Sequence, residues 1–207
     1  QMVEVMNAMN FDLVAFGNHE FDLSQKDLQK RLNESTFPWV SANVKLKTKE
    51  AAMPFYKDKE GEKEYVGETF IKDISDADGT TIKIGFISVC IPSNPKDYVE
   101  YGNMFVKARA SYAYLKDKVD VIFGLTHVKI NHDRKIAQLI PDLPLIMGGH
   151  EHTNKYEKIG DVTIAKADAN AKSVYVHKIS FDKKTKKTTV QSDLKEINAS
   201  IEPNIEV

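Results

Sequence analysis

Two histidines, separated by one residue, follow an apolar segment. Leu145 to Met147 are apolar, Gly148 and Gly149 come next, and His150 and His152 follow at once. An apolar run that stops at two glycines is typical of a buried strand followed by a sharp bend. If the backbone stays extended, the two imidazoles project to the same side. Imidazole is the commonest metal-ligating side chain, so the pair indicates a metal site, with a chance surface pair as the alternative.

Two further strand-like segments end in side chains that bind metals. Residues 11–16 read as a strand and lead into Asn18 and His19, and residues 119–125 read as a strand that ends in His127. Ligands of open α/β sheets bind outside the carboxyl ends of the strands. Three such ends with imidazole nitrogens and an amide oxygen favour a site for Zn, Mn or Fe over one for Ca or Mg.

The order of elements predicts an α/β fold. Apolar periodicity predicts helices over residues 1–9, 25–34, 104–118 and 131–140, which alternate with strands up to about residue 150. Only strands follow, so the sheet should have an antiparallel edge. Ser24 is expected to cap the second helix, and the methionines of the first to lie in the core. Residues 45–64 are expected to form an exposed loop.

Composition excludes several classes of protein. The 207 residues fit one large domain, and a net charge of -1 gives no footprint for nucleic acid or anionic membrane. Three arginines argue against an arginine clamp for phosphate. The one cysteine, Cys90, excludes an internal disulfide and is expected to be a small buried hydrophobe. No apolar run is long enough to span a membrane.

Three motifs in this order resemble a known family. They are Gly17-Asn18-His19-Glu20-Phe21-Asp22, Gly124-Leu125-Thr126-His127 and Gly148-Gly149-His150-Glu151-His152-Thr153. Together they resemble the calcineurin-like metallophosphoesterases, and within them the 5′-nucleotidase / 2′,3′-cyclic-nucleotide phosphodiesterase branch. The resemblance covers about residues 1–180. It implies an α/β/β/α architecture, in which a two-sheet β-sandwich is flanked by helices, and a phosphoester hydrolase with two divalent metal ions.

The resemblance also implies roles for individual residues. Asn18, His127 and His150 would ligate one metal, His152 would ligate the other, and His19 would be the catalytic histidine that does not bind metal. Asp22 would orient His19 or Asn18, or else be a solvated loop carboxylate.

One departure from the family pattern bears on activity. The family's Asp-x-His and Gly-Asp motifs, which precede the Asn-His motif and complete the two-metal site, do not occur here. We therefore expect residues 1–207 to be a single catalytic domain truncated at its N-terminus, without the family's C-terminal nucleotide-binding domain. At most one metal would be well ligated, and activity would be low or absent.

The expected partner is a small phosphoester, favoured to be a nucleotide, and not a nucleic-acid polymer. A truncated sheet would expose apolar surface beside residues 11–16 and allow a homodimer. The resemblance favours a periplasmic, cell-surface or secreted location. Two alternatives remain: a non-catalytic binding or surface module derived from this fold, and a phosphodiesterase that acts on another phosphoester.

Overall fold

The computed structural model describes residues 1–93 and 95–204. Its four α-helices in this part of the chain are α1 Met2–Ala8, α2 Gln25–Glu34, α3 Met104–Leu115 and α4 Ile130–Leu139, and a 3₁₀ helix spans Asn18–Asp22. The strands are β1 Val14–Ala15, β2 Trp39–Val40, β3 Val44–Lys47, β4 Ala52–Met53, β5 Tyr56–Lys59, β6 Glu62–Tyr65, β7 Thr69–Ser75, β8 Thr81–Cys90, β9 Val99–Tyr101, β10 Val121–His127, β11 Leu145–Gly148, β12 Lys155–Ile159, β13 Val162–Lys166, β14 Ser173–Asp182 and β15 Lys187–Glu196.

A six-stranded sheet in the order β12-β13-β11-β10-β8-β7 is the centre of the fold. Strands β8, β10, β11 and β13 are parallel, and the two edge strands run antiparallel to their neighbours. The predicted α/β class with an antiparallel edge is therefore confirmed. Parallel strands bring their carboxyl ends to one edge of the sheet, and the sequence motifs lie there.

Helices α3 and α4 cover one face of this sheet. Ala108 and Leu115 of α3 and Ile136 of α4 are buried in one apolar cluster with residues of β8, β10, β11 and β13. A second apolar cluster joins α2 to the small strands β1, β2 and β3 and to Phe55. Asn43 links the two regions, because its side-chain amide donates to the carbonyl of Cys90 and accepts from the Cys90 amide, both at 2.8 Å.

Several local predictions are confirmed. Helix α2 occupies the predicted residues, and the hydroxyl of Ser24 accepts a hydrogen bond from the Asp27 amide. Strands β7 and β8 pair as a hairpin through the turn that contains Gly79, whose φ of +84° requires glycine-like freedom. Cys90 is 1% exposed, and burial raises the pKa of its thiol.

Three local predictions are wrong. Residues 45–64 are not a loop, because strands β4, β5 and β6 lie there and Phe55 is buried against the second cluster. The strand predicted for residues 11–16 shrinks to Val14–Ala15. The methionines of residues 1–9 are not core: Met2 is 73% and Met9 62% exposed, and only Met6 packs against buried residues.

None of the helices within residues 1–93 and 95–204 is long and apolar enough to cross a bilayer.

Candidate metal centre

The neighbouring strands β10 and β11 deliver two histidines to one place. They pair in parallel with Thr126 opposite Gly148, so both strands end at the same level. His127 is the last residue of β10, and the Gly149 amide donates to the Thr126 carbonyl at 2.8 Å. The pairing thus continues to Gly149, the backbone changes direction at His150, and the two imidazole rings lie 5.5 Å apart between centroids.

The third group, Asn18, comes from outside the six-stranded sheet. It opens the 3₁₀ helix that follows β1, and it is 3% exposed. The preceding turn is fixed by the Gly17 amide, which donates to the carboxylate of Glu20 at 2.5 Å. Burial raises the pKa of that carboxyl, while the hydrogen bond from the Gly17 amide acts in the opposite direction.

The amide oxygen of Asn18 is the point on which the two histidines converge. Its Oδ1 lies 3.0 Å from Nε2 of His127 and 3.3 Å from Nδ1 of His150. Ligand atoms that share one divalent cation at bond lengths of about 2.1 Å and right angles lie about 3 Å apart. Both oxygen–nitrogen separations therefore match ligands of one cation, and an amide oxygen with two imidazole nitrogens suits Zn, Mn or Fe.

No group of three His, Cys, Asp or Glu side chains within residues 1–93 and 95–204 is arranged to hold a metal. The candidate set differs from such groups because its third donor atom is the amide oxygen of Asn18. It follows that His152 does not lie in a group of three His, Cys, Asp or Glu side chains that could hold a metal within the described residues. The structure thus brings one set of three donors together.

Burial keeps His127 in the neutral form that binds metals. It lowers the pKa of His127 to about 4, with smaller contributions from His150 and Lys166. The pKa of His150 is also lowered, mainly by burial. Both imidazoles are therefore neutral at pH 7, and no proton has to be lost before a cation binds.

Two glycines leave room for the His127 ring. A Cβ atom at Gly149 would lie 2.8 Å from Nδ1 of His127, and one at Gly17 would lie 2.9 Å from Cε1 of the same ring. Real Cβ atoms do not approach so closely, so any side chain at either position would displace the imidazole.

The backbone at His150 corrects the geometry expected from the sequence. Strand β11 ends at Gly148, and His150 has a φ of +80°. The chain is therefore not extended through the two histidines, and the strand period does not set their directions. A left-handed residue that is not glycine costs about 1–3 kcal/mol and persists where the surroundings impose it, often at functional sites.

Of the remaining predicted residues, His19 and His152 line the same cavity of about 540 Å³ as Asn18, His127 and His150, and Asp22 does not. His19 and His152 are exposed there. Nδ1 of His19 lies 2.7 Å from a carboxylate oxygen of Asp22. A hydrogen bond from Nδ1 to this carboxylate leaves Nε2 as the ring nitrogen that is free to face the cavity.

Sequence reasoning missed two charged residues beneath the site. Lys166 and Asp133 are both 0% exposed, and they form an ion pair with 2.7 Å between Nζ and Oδ2. A lysine that ends the apolar strand β13 would normally reach solvent. The only signal in the sequence was Gly148, since a Cβ there would lie 2.7 Å from Cε of Lys166.

Comparison with known proteins supports the resemblance. No known family profile matches the chain. It is 28% identical over 222 residues to the trifunctional nucleotide phosphoesterase protein YfkN of Bacillus subtilis. That alignment covers 93% of this chain and 15% of the relative. It is also 28% identical over 166 residues to a snake venom 5′-nucleotidase of Crotalus adamanteus, covering 75% of this chain and 26% of the relative. The chain thus spans about a quarter or less of the length of these relatives.

The fold matches solved structures over almost its full length. The crystal structure of calcineurin-like phosphoesterase YfkN from Bacillus subtilis superimposes with a TM-score of 0.77 at 20% identity, over 99% of this chain and 69% of that one. The fold is therefore that of the calcineurin-like phosphoesterases, as predicted. More particularly, the curated relatives are nucleotide phosphoesterases and 5′-nucleotidases, which are hydrolases and agree with the branch indicated by the motifs.

Proposed function

We propose that the chain carries part of the active site of a phosphoester hydrolase of the 5′-nucleotidase type. In this proposal Asn18, His127 and His150 hold one divalent metal ion. The observation that carries it is the convergence of both imidazoles on the Asn18 oxygen, at 3.0 and 3.3 Å. When bound, such a metal polarises a phosphoryl oxygen and lowers the pKa of a coordinated water.

His19 is the proposed catalytic histidine. Its imidazole lies in the cavity beside Asn18, and Asp22 accepts from its Nδ1 at 2.7 Å. A carboxylate at Nδ1 orients the ring, so that Nε2 can face the leaving oxygen of the substrate and pass a proton to it. Asp22 is thus proposed as the residue that positions His19.

His152 is proposed to contribute to a second metal. It lines the same cavity, but within the described residues it has no group of His, Cys, Asp or Glu partners to complete a ligand set. We therefore propose that these residues ligate at most one metal ion well, and that their phosphoesterase activity is low or absent. Two-metal sites clamp both the attacking and the leaving oxygens, which one ion cannot do as well.

The substrate class follows from the relatives. Their names describe nucleotide phosphoesterases and 5′-nucleotidases, so we propose a nucleotide phosphomonoester or cyclic phosphodiester as substrate. The venom relative supports an exported location. The exposed Met2, Met9 and Phe11 support a homodimer through α1 and the segment that leads into β1.

Hydrolysis of bis-p-nitrophenyl phosphate and of nucleoside monophosphates with Mn²⁺ tests this proposal. We expect slow, metal-dependent turnover that falls at least a hundredfold in His19→Ala, because positioned proton transfer contributes about 10²–10⁴-fold. His177→Ala is the matched control, since His177 lies on β14 and donates to or accepts from Ser192. Turnover that survives in His19→Ala, or that is independent of metal, would contradict it.

A further inference from the structure

A buried ammonium group lies directly beneath the candidate metal centre. Lys166 is the last residue of β13, next to Gly148 of β11 in the parallel register. Its Nζ contacts four oxygens from three different parts of the chain. They are the carbonyls of Val128 and Gly149, the latter at 2.9 Å, and the carboxylates of Asp133 and Glu151.

Two of these contacts fix the backbone beside the ligands. Val128 directly follows His127, and Gly149 directly precedes His150. One ammonium group therefore binds the main chain next to both His127 and His150. Glu151 adds a third attachment, because its second carboxylate oxygen accepts from the Ile130 amide at 2.6 Å. The start of α4 and the loop after β11 are thus joined through the same group.

Charge compensation alone does not explain this arrangement. An ion pair between Lys166 and Asp133 would satisfy both charges without any carbonyl, and buried ion pairs are weak evidence for stability in themselves. The structure instead aims part of the donor capacity of the ammonium at two main-chain oxygens. Gly148 makes this possible, since a side chain there would collide with the Lys166 stem.

We propose that Lys166 is a positioning residue of the metal centre: it holds the carbonyls of Val128 and Gly149 so that His127 and His150 keep the separation one divalent cation requires. This inference rests on the proposed function, because it assumes that the two histidines bind a metal. Groups that orient metal ligands from behind typically change metal affinity 10–100-fold when they are removed.

The sign of the effect separates positioning from simple electrostatics. Deleting a positive charge close to a cation site should tighten cation binding if only Coulomb repulsion acts. Loss of positioning should weaken binding instead. Replacement of Lys166 by methionine keeps the length and apolar stem of the side chain while it removes the charge and all the hydrogen bonds.

The test measures binding of Co²⁺ and Mn²⁺ by the full 207-residue chain. Affinity is obtained by titration against a chelator, and ligand geometry from the visible spectrum of the Co²⁺ complex. We expect Lys166→Met to bind at least tenfold more weakly with an altered spectrum. Leu115→Ala is the control for general destabilisation, because Leu115 is buried at the other end of the sheet beside Gly85, and it should stay within twofold of the original chain.

A double variant covers the case in which Lys166→Met does not fold. Lys166→Met with Asp133→Asn removes both members of the buried ion pair, so neither is left as an unpaired charge and the net charge is unchanged. We expect the double variant to bind at least tenfold more weakly than the original chain, because the Val128 and Gly149 carbonyls are no longer held. Equal or tighter binding would overturn the inference and leave the proposed function intact, whereas absence of metal binding by the unmodified chain would overturn both.

Discussion

The Oδ1 atom of Asn18 lies 3.0 Å from Nε2 of His127, although the two residues are 109 positions apart. Asn18 follows β1, which pairs only with β2 in the structure's described part, while His127 ends β10 of the six-stranded sheet. The candidate centre therefore joins two separately hydrogen-bonded sheets. It can form only when both have folded and packed against each other.

A bound metal should therefore stabilise the whole fold. Ligand that binds only the folded state adds about 2.7 kcal/mol at a concentration one hundred times its Kd. We expect Mn²⁺ at that ratio to raise the thermal midpoint by several degrees. Asn18→Ala should remove most of this increment, whereas His177→Ala on the distant hairpin should keep it. An equal increment in both variants would show that the metal binds elsewhere.

Substitution of Gly149 by alanine should weaken metal binding through the His127 ring. The new Cβ would lie 2.8 Å from Nδ1 of His127, and the ring has to move away from Asn18 to relieve the contact. We expect a loss of affinity of at least tenfold. Gly102→Ala is the matched control, because its nearest contact would be 3.6 Å, and isothermal titration should give an unchanged affinity for it.

The backbone conformation of His150 should lower the stability of the metal-free fold. Its φ of +80° is unfavourable for a residue with a Cβ atom, and glycine adopts this region freely. We expect metal-free His150→Gly to be as stable as the original chain or up to about 1 kcal/mol more stable, although it no longer binds metal. Urea denaturation with a chelator present measures this. His152→Gly relieves no such backbone strain. If its free energy of unfolding rose more than that of His150→Gly, the explanation would be contradicted.

The sequence was sufficient to predict the main parallel strands, because apolar runs that end in Gly and His are local features, whereas the metal-ligating role of Asn18, His127, His150 and His152 stays a prediction. It was not sufficient for residues 45–64. Their strands β5 and β6 are rich in lysine and glutamate, and Phe55 is the residue that anchors them to the core. It also missed Lys166, since the burial of an ammonium group depends on carbonyls and carboxylates that come from three other segments.

The turn at His150 could not be predicted for a related reason. A His-x-His pattern after an apolar run is compatible with a continued strand, and nothing in that pattern predicts the φ of +80° at His150, which is uncommon for a residue with a Cβ atom. The contact between His19 and Asp22 was easier to anticipate. It spans only three residues, and the 3₁₀ helix Asn18–Asp22 brings such neighbours onto one face.

The metal-free protein should lose stability in mild acid because of His127. Its pKa is about 4 in the folded chain and about 6.5 when unfolded, so protonation favours the unfolded state. The contribution is complete above pH 6.5 and is lost as the pH falls toward 4, by roughly 3 kcal/mol. The free energy of unfolding, measured by denaturation, should therefore differ less between pH 7 and pH 4.5 in His127→Gln than in the original chain. Equal differences would contradict a buried neutral His127.

Metal stoichiometry tests the central claim most directly. Equilibrium dialysis of the 207-residue chain against Mn²⁺ or Zn²⁺, followed by elemental analysis, counts the ions bound per chain. We predict one tightly bound equivalent, lost in Asn18→Ala and in His127→Ala and retained in His177→Ala. No bound metal, or one equivalent that persists when His127 is replaced, would contradict the centre proposed at Asn18, His127 and His150.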